Sequence, residues 1–269
     1  MTAIVSKHPP VKGPHSLLEA RGMVKDYPSV KVLRQVDLAI EAGDTFAVIG
    51  PNGAGKTTLF KVLSGEVFAD TGTVLFDGDD VTRLPEWRRI RLGFGRTFQV
   101  ARVFLDLTTE ENVVIALEAH HRNIGKAPFF RLGCRSTGEV RDGVEETLAE
   151  VGLIDKRSVP SRLLSHGDKK RLELAMVLTS RPRILLLDEP TAGMSPSDRR
   201  EATALIAAVK ERHGMTVLLT EHDMGVVFGL ASHVAVLHYG QVIATGTPAE
   251  VRDDPMVREI YLGTEHAHA

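Results

Sequence analysis

The residues with the clearest chemistry are Gly50–Thr57, GPNGAGKT, in which Gly50, Pro51, Asn52, Gly53, Ala54, Gly55, Lys56 and Thr57 match the spacing G-x-x-x-x-G-K-[ST]. Phosphate oxygens need many donors at short range, so a loop that binds them must curl with its backbone N–H groups turned inward. Glycines at 50, 53 and 55 permit that curl and a close approach of phosphate. A helix leaving the loop adds positive potential at its N-terminus. In this arrangement Lys56 reaches the β- and γ-phosphates, the Thr57 hydroxyl holds Mg²⁺, and Thr58 hydrogen-bonds the α-phosphate. The alternative is a glycine turn that merely precedes a lysine. The apolar run TFAVIG before the loop and TTLFKVLSG after it supply the strand and helix that the phosphate reading requires.

A second acidic group follows from ILLLDEP, where an apolar strand ends at Asp188 and Glu189 comes next. Asp188 suits the Mg²⁺ shell at the carboxyl edge of a sheet, and Glu189 suits polarisation of an attacking water. By itself the pair also fits a helix-capping loop. His222, in TEHD just beyond the strand TVLLT, falls on the same expected sheet edge and is a candidate γ-phosphate contact, although a histidine after a strand is more often structural and the chain has 11.

These residues need a particular set of elements. TFAVIG, Ile184–Asp188 and Thr216–Thr220 are short and almost wholly apolar, the pattern of strands covered on both faces of a parallel sheet. HVAVLHYG adds another strand. Nearer the start, LLEARGMV and VLRQVDLAI are separated by Pro28 and Ser29, and the alternation of Val36, Leu38 and Ile40 predicts a half-buried antiparallel strand. Helical stripes run through Leu172, Ala175, Met176 and Thr179, and through Ala202, Leu205, Ile206 and Val209; Ser195, Pro196 and Asp198 form a start signal for the second. From about Glu86 to Leu164 helical periodicity dominates, interrupted by the glycine- and arginine-bearing stretch Asn123–Gly138. The expected fold class is α/β: a P-loop core with a mostly parallel sheet, an N-terminal antiparallel β subdomain and an inserted helical subdomain. The expected organisation is a flexible tail over 1–16 and a single domain over 17–269, with the core in 17–95 and 165–269 and the helical subdomain in 96–164.

Composition narrows the setting. The 269 residues carry 33 Lys+Arg against 35 Asp+Glu, a net charge of -2, which argues against wholesale binding to nucleic acid. The single cysteine, Cys134, excludes an internal disulfide and a cysteine-based zinc cluster. No apolar run approaches the roughly 18 residues of a membrane span, and the first residues lack a signal peptide's apolar core, so a cytosolic setting is expected. WRRIRLGFGR, with Arg88, Arg89, Arg91 and Arg96, is a solvated helix face, a docking face or a nucleic-acid patch, and its nearness to Gln99 favours a membrane partner over nucleic acid. His266 and His268 are too sparse for a strong metal site.

Taken in order, these motifs resemble the ATPase subunits of ABC transporters. LLSHGDKKRLELA, at Leu163–Ala175, is similar to the ABC signature and lies just before ILLLDEP. Gln99 in GRTFQ resembles the Q-loop glutamine, and Tyr27 the adenine-stacking aromatic. The resemblance covers about Leu17 to Leu262. It implies ATP and Mg²⁺ as ligands, with Gln99 serving both catalysis and the metal. It also implies that Ser165 and Gly167, at the start of a helix, face the γ-phosphate held by a second subunit, so that two ATP molecules are sandwiched head to tail. His166 and Asp168 depart from the usual glycine and glutamine, and Ser195 stands where many relatives carry aspartate.

GFGRTFQ, DEPTAGMSP, TEHDMGVV and VREIYLG are most similar to importers of branched-chain amino acids, urea and amides. That resemblance implies permease subunits in the membrane, a second ATPase subunit, an external solute-binding protein, and a place on the inner face of the cell membrane. The alternatives are the ATPase of a lipopolysaccharide-type exporter, or a soluble ABC ATPase acting on nucleic acid. The latter usually carries coiled-coil insertions or paired ATPase units, and neither pattern is present. A small-molecule kinase would have no use for the LSHGD segment.

Overall fold

A computed structural model describes residues 16–28, 30–123 and 138–265. Most of the expected tail, Cys134, the interior of the Asn123–Gly138 stretch, His266 and His268 lie outside the described residues. The chain forms two compact units: the described residues of Met1–Arg89 with those of Met215–Ala269, and those of Ile90–Gly214.

The first unit opens with β1 (Ser16–Tyr27), β2 (Val30–Glu41), β3 (Thr45–Ile49), α1 (Lys56–Ser64), β4 (Thr71–Phe76) and β5 (Asp79–Asp80), followed by α2 (Glu86–Leu92). Strands β2, β1, β4 and β5 form an antiparallel sheet in that order. Val36, Leu38 and Ile40 are buried while Asp37 is exposed, as the alternation predicts. All of β3 is buried. The apolar strand therefore pairs in parallel on both sides, with β8 (Thr216–Thr220) and with β9 (His233–His238). β10 (Gln241–Gly246) returns antiparallel to β9. Helices α7 (Met224–Leu230), α8 (Pro248–Asp253) and α9 (Pro255–Glu265) complete this unit. Thr247 and Glu250 close a capping box on α8.

The second unit holds β6 (Phe94–Arg96) parallel to β7 (Ile184–Asp188), with α3 (Thr109–Asn123), α4 (Gly138–Glu150), α5 (His166–Leu178) and α6 (Pro196–His213). The stripe through Leu172 and Ala175 belongs to a helix that already begins at His166, with Ser165 as its N-cap. Ser195 caps α6 by accepting from the Asp198 amide, and Pro196 occupies the first turn. Asn112 on α3 is fully buried and satisfied: its side chain accepts from the Phe104 amide and donates to the carbonyls of Phe104 and Thr108 and to the Ser161 hydroxyl. No helix among the described residues is long and apolar enough to cross a membrane. The unit also takes in α5, β7 and α6, so it is wider than residues 96–164. β6 pairs with β7, and α5 grips the chain just after β6, which explains that grouping.

Arg89 departs most from the sequence reading. It is neither a solvated nor a docking residue but is 0% exposed, while Arg88 and Arg91 beside it are exposed. Its guanidinium donates to the carbonyls of Val62, Leu63, Val81, Thr82 and Leu84. Val62 and Leu63 belong to the last turn of α1, where unsatisfied carbonyls gather negative potential. Burial pushes the Arg89 pKa down to about 10, which still leaves it charged at neutral pH. Gly65, which ends α1 at φ 81°, lies so close that a Cβ there would fall 2.8 Å from Arg89 Nε. Replacement Arg89→Met should strand the carbonyls and destabilise the chain by about 3 kcal/mol in urea unfolding, with Arg89→Lys recovering part of that loss.

Candidate functional site

In the first unit the loop after β3 turns on glycines that no other residue can replace. A Cβ on Gly50 would lie 2.1 Å from the carbonyl oxygen of Leu237, and one on Gly55 would lie 2.9 Å from that of Val32. Gly55 (φ 109°) is the N-cap of α1 and brings no side chain to it, so no N-cap side chain occupies the first-turn amides. Ala54 closes the loop against Pro51 through its amide, and its carbonyl accepts from Gly240. Lys56 is 7% exposed, and its ammonium donates to the carbonyls of Gly50 (2.6 Å) and Pro51 (3.1 Å). The charge is therefore held inside the curl of its own loop. Asn52, Gly53 and Thr57 are exposed, and Thr58 is half-buried.

Two further expected residues lie in this unit. Tyr27 ends β1 and is 42% exposed, with the Lys25 ammonium 5.5 Å from its ring centre. His222 is exposed between β8 and α7, and its amide donates to the Glu221 carboxylate. Asp223 then caps α7 by accepting from the Val226 amide, which fixes the backbone on both sides of His222.

In the second unit, Asp188 is the last residue of β7 and is buried. Glu189 follows with φ 48°, a left-handed conformation that a non-glycine residue adopts at a cost. The reversal turns its carboxylate away from the strand's alternation, and one oxygen accepts from the Gln99 side chain at 2.9 Å. Gln99 and Glu189, ninety residues apart in sequence, are thus brought together.

Ser165 accepts from the Asp168 amide and donates to the Asp168 carboxylate at 2.8 Å, and Lys156 donates to the same carboxylate at 2.6 Å. This shows what the unusual Asp168 does: it completes the cap and receives a cation. Burial acts to raise its pKa, but the hydrogen bonds from Lys156 and Ser165 outweigh that and hold it below the usual carboxylate range. His166 is exposed, with its ring near Gly193. Gly167 lies in the first turn with open space around it.

Two residues that the sequence did not single out support this arrangement. Glu173 and Lys170 on α5 are both buried. Glu173 accepts from the amides of Phe98 (3.3 Å) and Arg102 (2.8 Å), and Lys170 donates to the Phe98 carbonyl (2.8 Å). Burial raises the Glu173 pKa against these hydrogen bonds. The Phe98 ring is flanked by the guanidinium groups of Arg102, at 3.5 Å, and Arg96, at 4.8 Å. The available signal was an acid set in the apolar run LELAMVL. The expected basic face is broken, since Arg89 is internal and Arg96 packs on Phe98.

Comparison with known proteins places the chain in a family. Residues 33–192 match the family described as ABC transporter, and residues 241–267 match the one described as branched-chain amino acid ATP-binding cassette transporter. The chain is 37% identical to the high-affinity branched-chain amino acid transport ATP-binding protein BraF of Pseudomonas aeruginosa, over 92% of this chain and 98% of that one. It is 35% identical to the corresponding protein LivG of Escherichia coli, with the same coverage. Among solved structures it is similar to a nucleotide-free ATP-binding cassette from an ABC transporter, with TM-score 0.80, 30% identity, and 91% of this chain and 98% of that one covered. It is also similar to the ADP conformation of an ATP-binding cassette of an ABC transporter, with TM-score 0.80, 28% identity and coverage of 92% and 99%. The chain belongs to the ABC transporter family, as an ATP-hydrolysing cassette subunit.

Proposed function

We propose that this chain powers uptake of branched-chain amino acids, or of a related small solute such as urea or an amide, by hydrolysing ATP beneath membrane-spanning permease subunits. The observation that carries the reading is the loop Gly50–Thr58, with the buried Lys56 ammonium folded over it and the uncapped amides of α1 beside it. That combination fits a triphosphate and little else. The names of the similar proteins BraF and LivG support import over the exporter and nucleic-acid alternatives.

Each residue has a proposed task. Tyr27 stacks on adenine, and Gly50 to Gly55 present backbone amides to the phosphates. Lys56 bridges the β- and γ-phosphates, and Thr58 binds the α-phosphate. Thr57, Asp188 and Gln99 are the proposed magnesium ligands, an all-oxygen set that suits a hard cation. Magnesium, when bound there, neutralises charge on the phosphates. Glu189 takes the proton of the attacking water, and His222 contacts the γ-phosphate. Ser165 and Gly167 serve the phosphate held by a second ATPase subunit, so hydrolysis follows closure of two subunits around ATP.

The remaining partners follow from the same reading. The chain acts as one ATPase domain over 17–269, with the helical subdomain at 96–164, and sits on the cytoplasmic face of the membrane. An external solute-binding protein completes the system. Val100, Phe104, Leu105 and Leu163 are large apolar residues left at least half exposed next to Gln99 or on the adjoining loops, which supports a permease contact there.

Lys56→Ala should weaken ATP binding by roughly tenfold or more in titration calorimetry, the loss expected for a charge-assisted contact to phosphate; undiminished affinity would refute the cradle. Glu189→Gln should retain ATP while turnover in a phosphate-release assay falls on the order of a hundredfold or more. Unchanged turnover would remove Glu189 from the role of general base.

A further inference from the structure

Lys170 and Glu173 lie three residues apart on one face of α5, and together they grip the backbone on both sides of Gln99. Glu173 holds the amides at 98 and 102, Lys170 holds the carbonyl at 98, and the stacked Arg102, Phe98 and Arg96 side chains stiffen the arch between them. The same helix has Ser165 as its N-cap and Gly167 in its first turn. The arch carries Gln99, whose amide reaches Glu189.

We propose that Glu173 is a positioning residue that makes Gln99 travel with the N-terminal turn of α5, so that the hydrogen bond from Gln99 to Glu189 follows the placement of Ser165. A helix is stiff along its length, and a buried carboxylate that accepts from two part-buried amides cannot release one without losing a hydrogen bond. The loop and the helix start therefore move as one body. A shift of α5 is transmitted to Glu189 through Gln99, and Gln99 does not leave Glu189 independently. Glu173 itself touches neither Glu189 nor any proposed phosphate contact, so its effect on hydrolysis passes through Gln99. This inference rests on the proposed roles of Gln99, Glu189 and Ser165 in ATP hydrolysis.

The test measures kcat and KM for ATP with magnesium on the full chain, comparing wild type with Glu173→Ala, Gln99→Ala and the double variant. Glu173→Ala should lower kcat roughly tenfold with KM within about twofold of wild type, and the double variant should lose no more than Gln99→Ala alone. Losses that multiply in the double variant would show that Glu173 acts independently of Gln99 and would overturn the proposal. Should Glu173→Ala fold poorly, Lys170→Met removes the donor to the Phe98 carbonyl and keeps both Glu173 contacts to the loop amides. It should give a smaller loss in kcat that also vanishes in the Gln99→Ala background, and a loss that persists there counts against the proposal. Hydrogen exchange on the wild-type chain decides the matter without a variant: on adding a non-hydrolysable ATP analogue, segments 98–102 and 165–173 should change protection together. Independent responses would overturn the inference. A wild-type chain that binds the analogue but never hydrolyses ATP would sink the catalytic reading instead, and the exchange result would still judge the coupling.

Discussion

A triphosphate is held only where many hydrogen-bond donors converge at short range, and the loop proposed to hold it, Gly50–Thr58, takes its shape by bringing backbone against backbone. Gly50 packs on the Leu237 carbonyl and Gly55 on the Val32 carbonyl at distances that exclude any Cβ. The curl thus depends both on the positive φ that its glycines allow and on the strands packed around it. β3 is buried along its whole length and delivers the loop to that position. At the other end of α1, Arg89 satisfies the last carbonyls. The helix is fixed at its C-terminus by a buried cation and has no side-chain cap at its N-terminus, where the phosphates are proposed to bind.

The second unit carries the acids proposed for magnesium binding and for catalysis. Asp188 ends a buried strand, and Glu189 is turned aside by a left-handed backbone to meet Gln99. Two other carboxylates in that unit have structural tasks, and their environments push them in opposite directions. Asp168 is held below its usual range by Lys156 and Ser165, while Glu173 is raised by burial although it accepts two amides. One fixes the start of α5, and the other fixes the loop that carries Gln99.

Much of this was legible from residue order. GPNGAGKT, the apolar runs that became β3, β7 and β8, and the alternation in β2 are local signals, since each depends on spacing within a few residues. The cap at Ser195 was legible for the same reason. Arg89 and Glu173 were not, because they bind backbone groups brought near by tertiary folding, and Asn112 was not, because its burial depends on a loop turn at Phe104 and on the distant Ser161 hydroxyl. RRIR looks like a solvated face until the carbonyls of Val62 and Val81 are placed beside it. LELAMVL looks like a plain core stripe until Phe98 and Arg102 turn their amides towards Glu173. The departures at His166 and Asp168 were visible in the sequence, but only the geometry shows that Asp168 takes over part of the cap.

The most direct measurement is an experimental structure of the chain with magnesium and a non-hydrolysable ATP analogue. The account predicts the triphosphate inside the curl of Gly50–Thr58, with Lys56 turned from its own carbonyls onto phosphate and Ser165 of a second copy closing the far side. An analogue bound away from that loop, or wholly enclosed by one chain with residues 165–167 facing solvent, would contradict it.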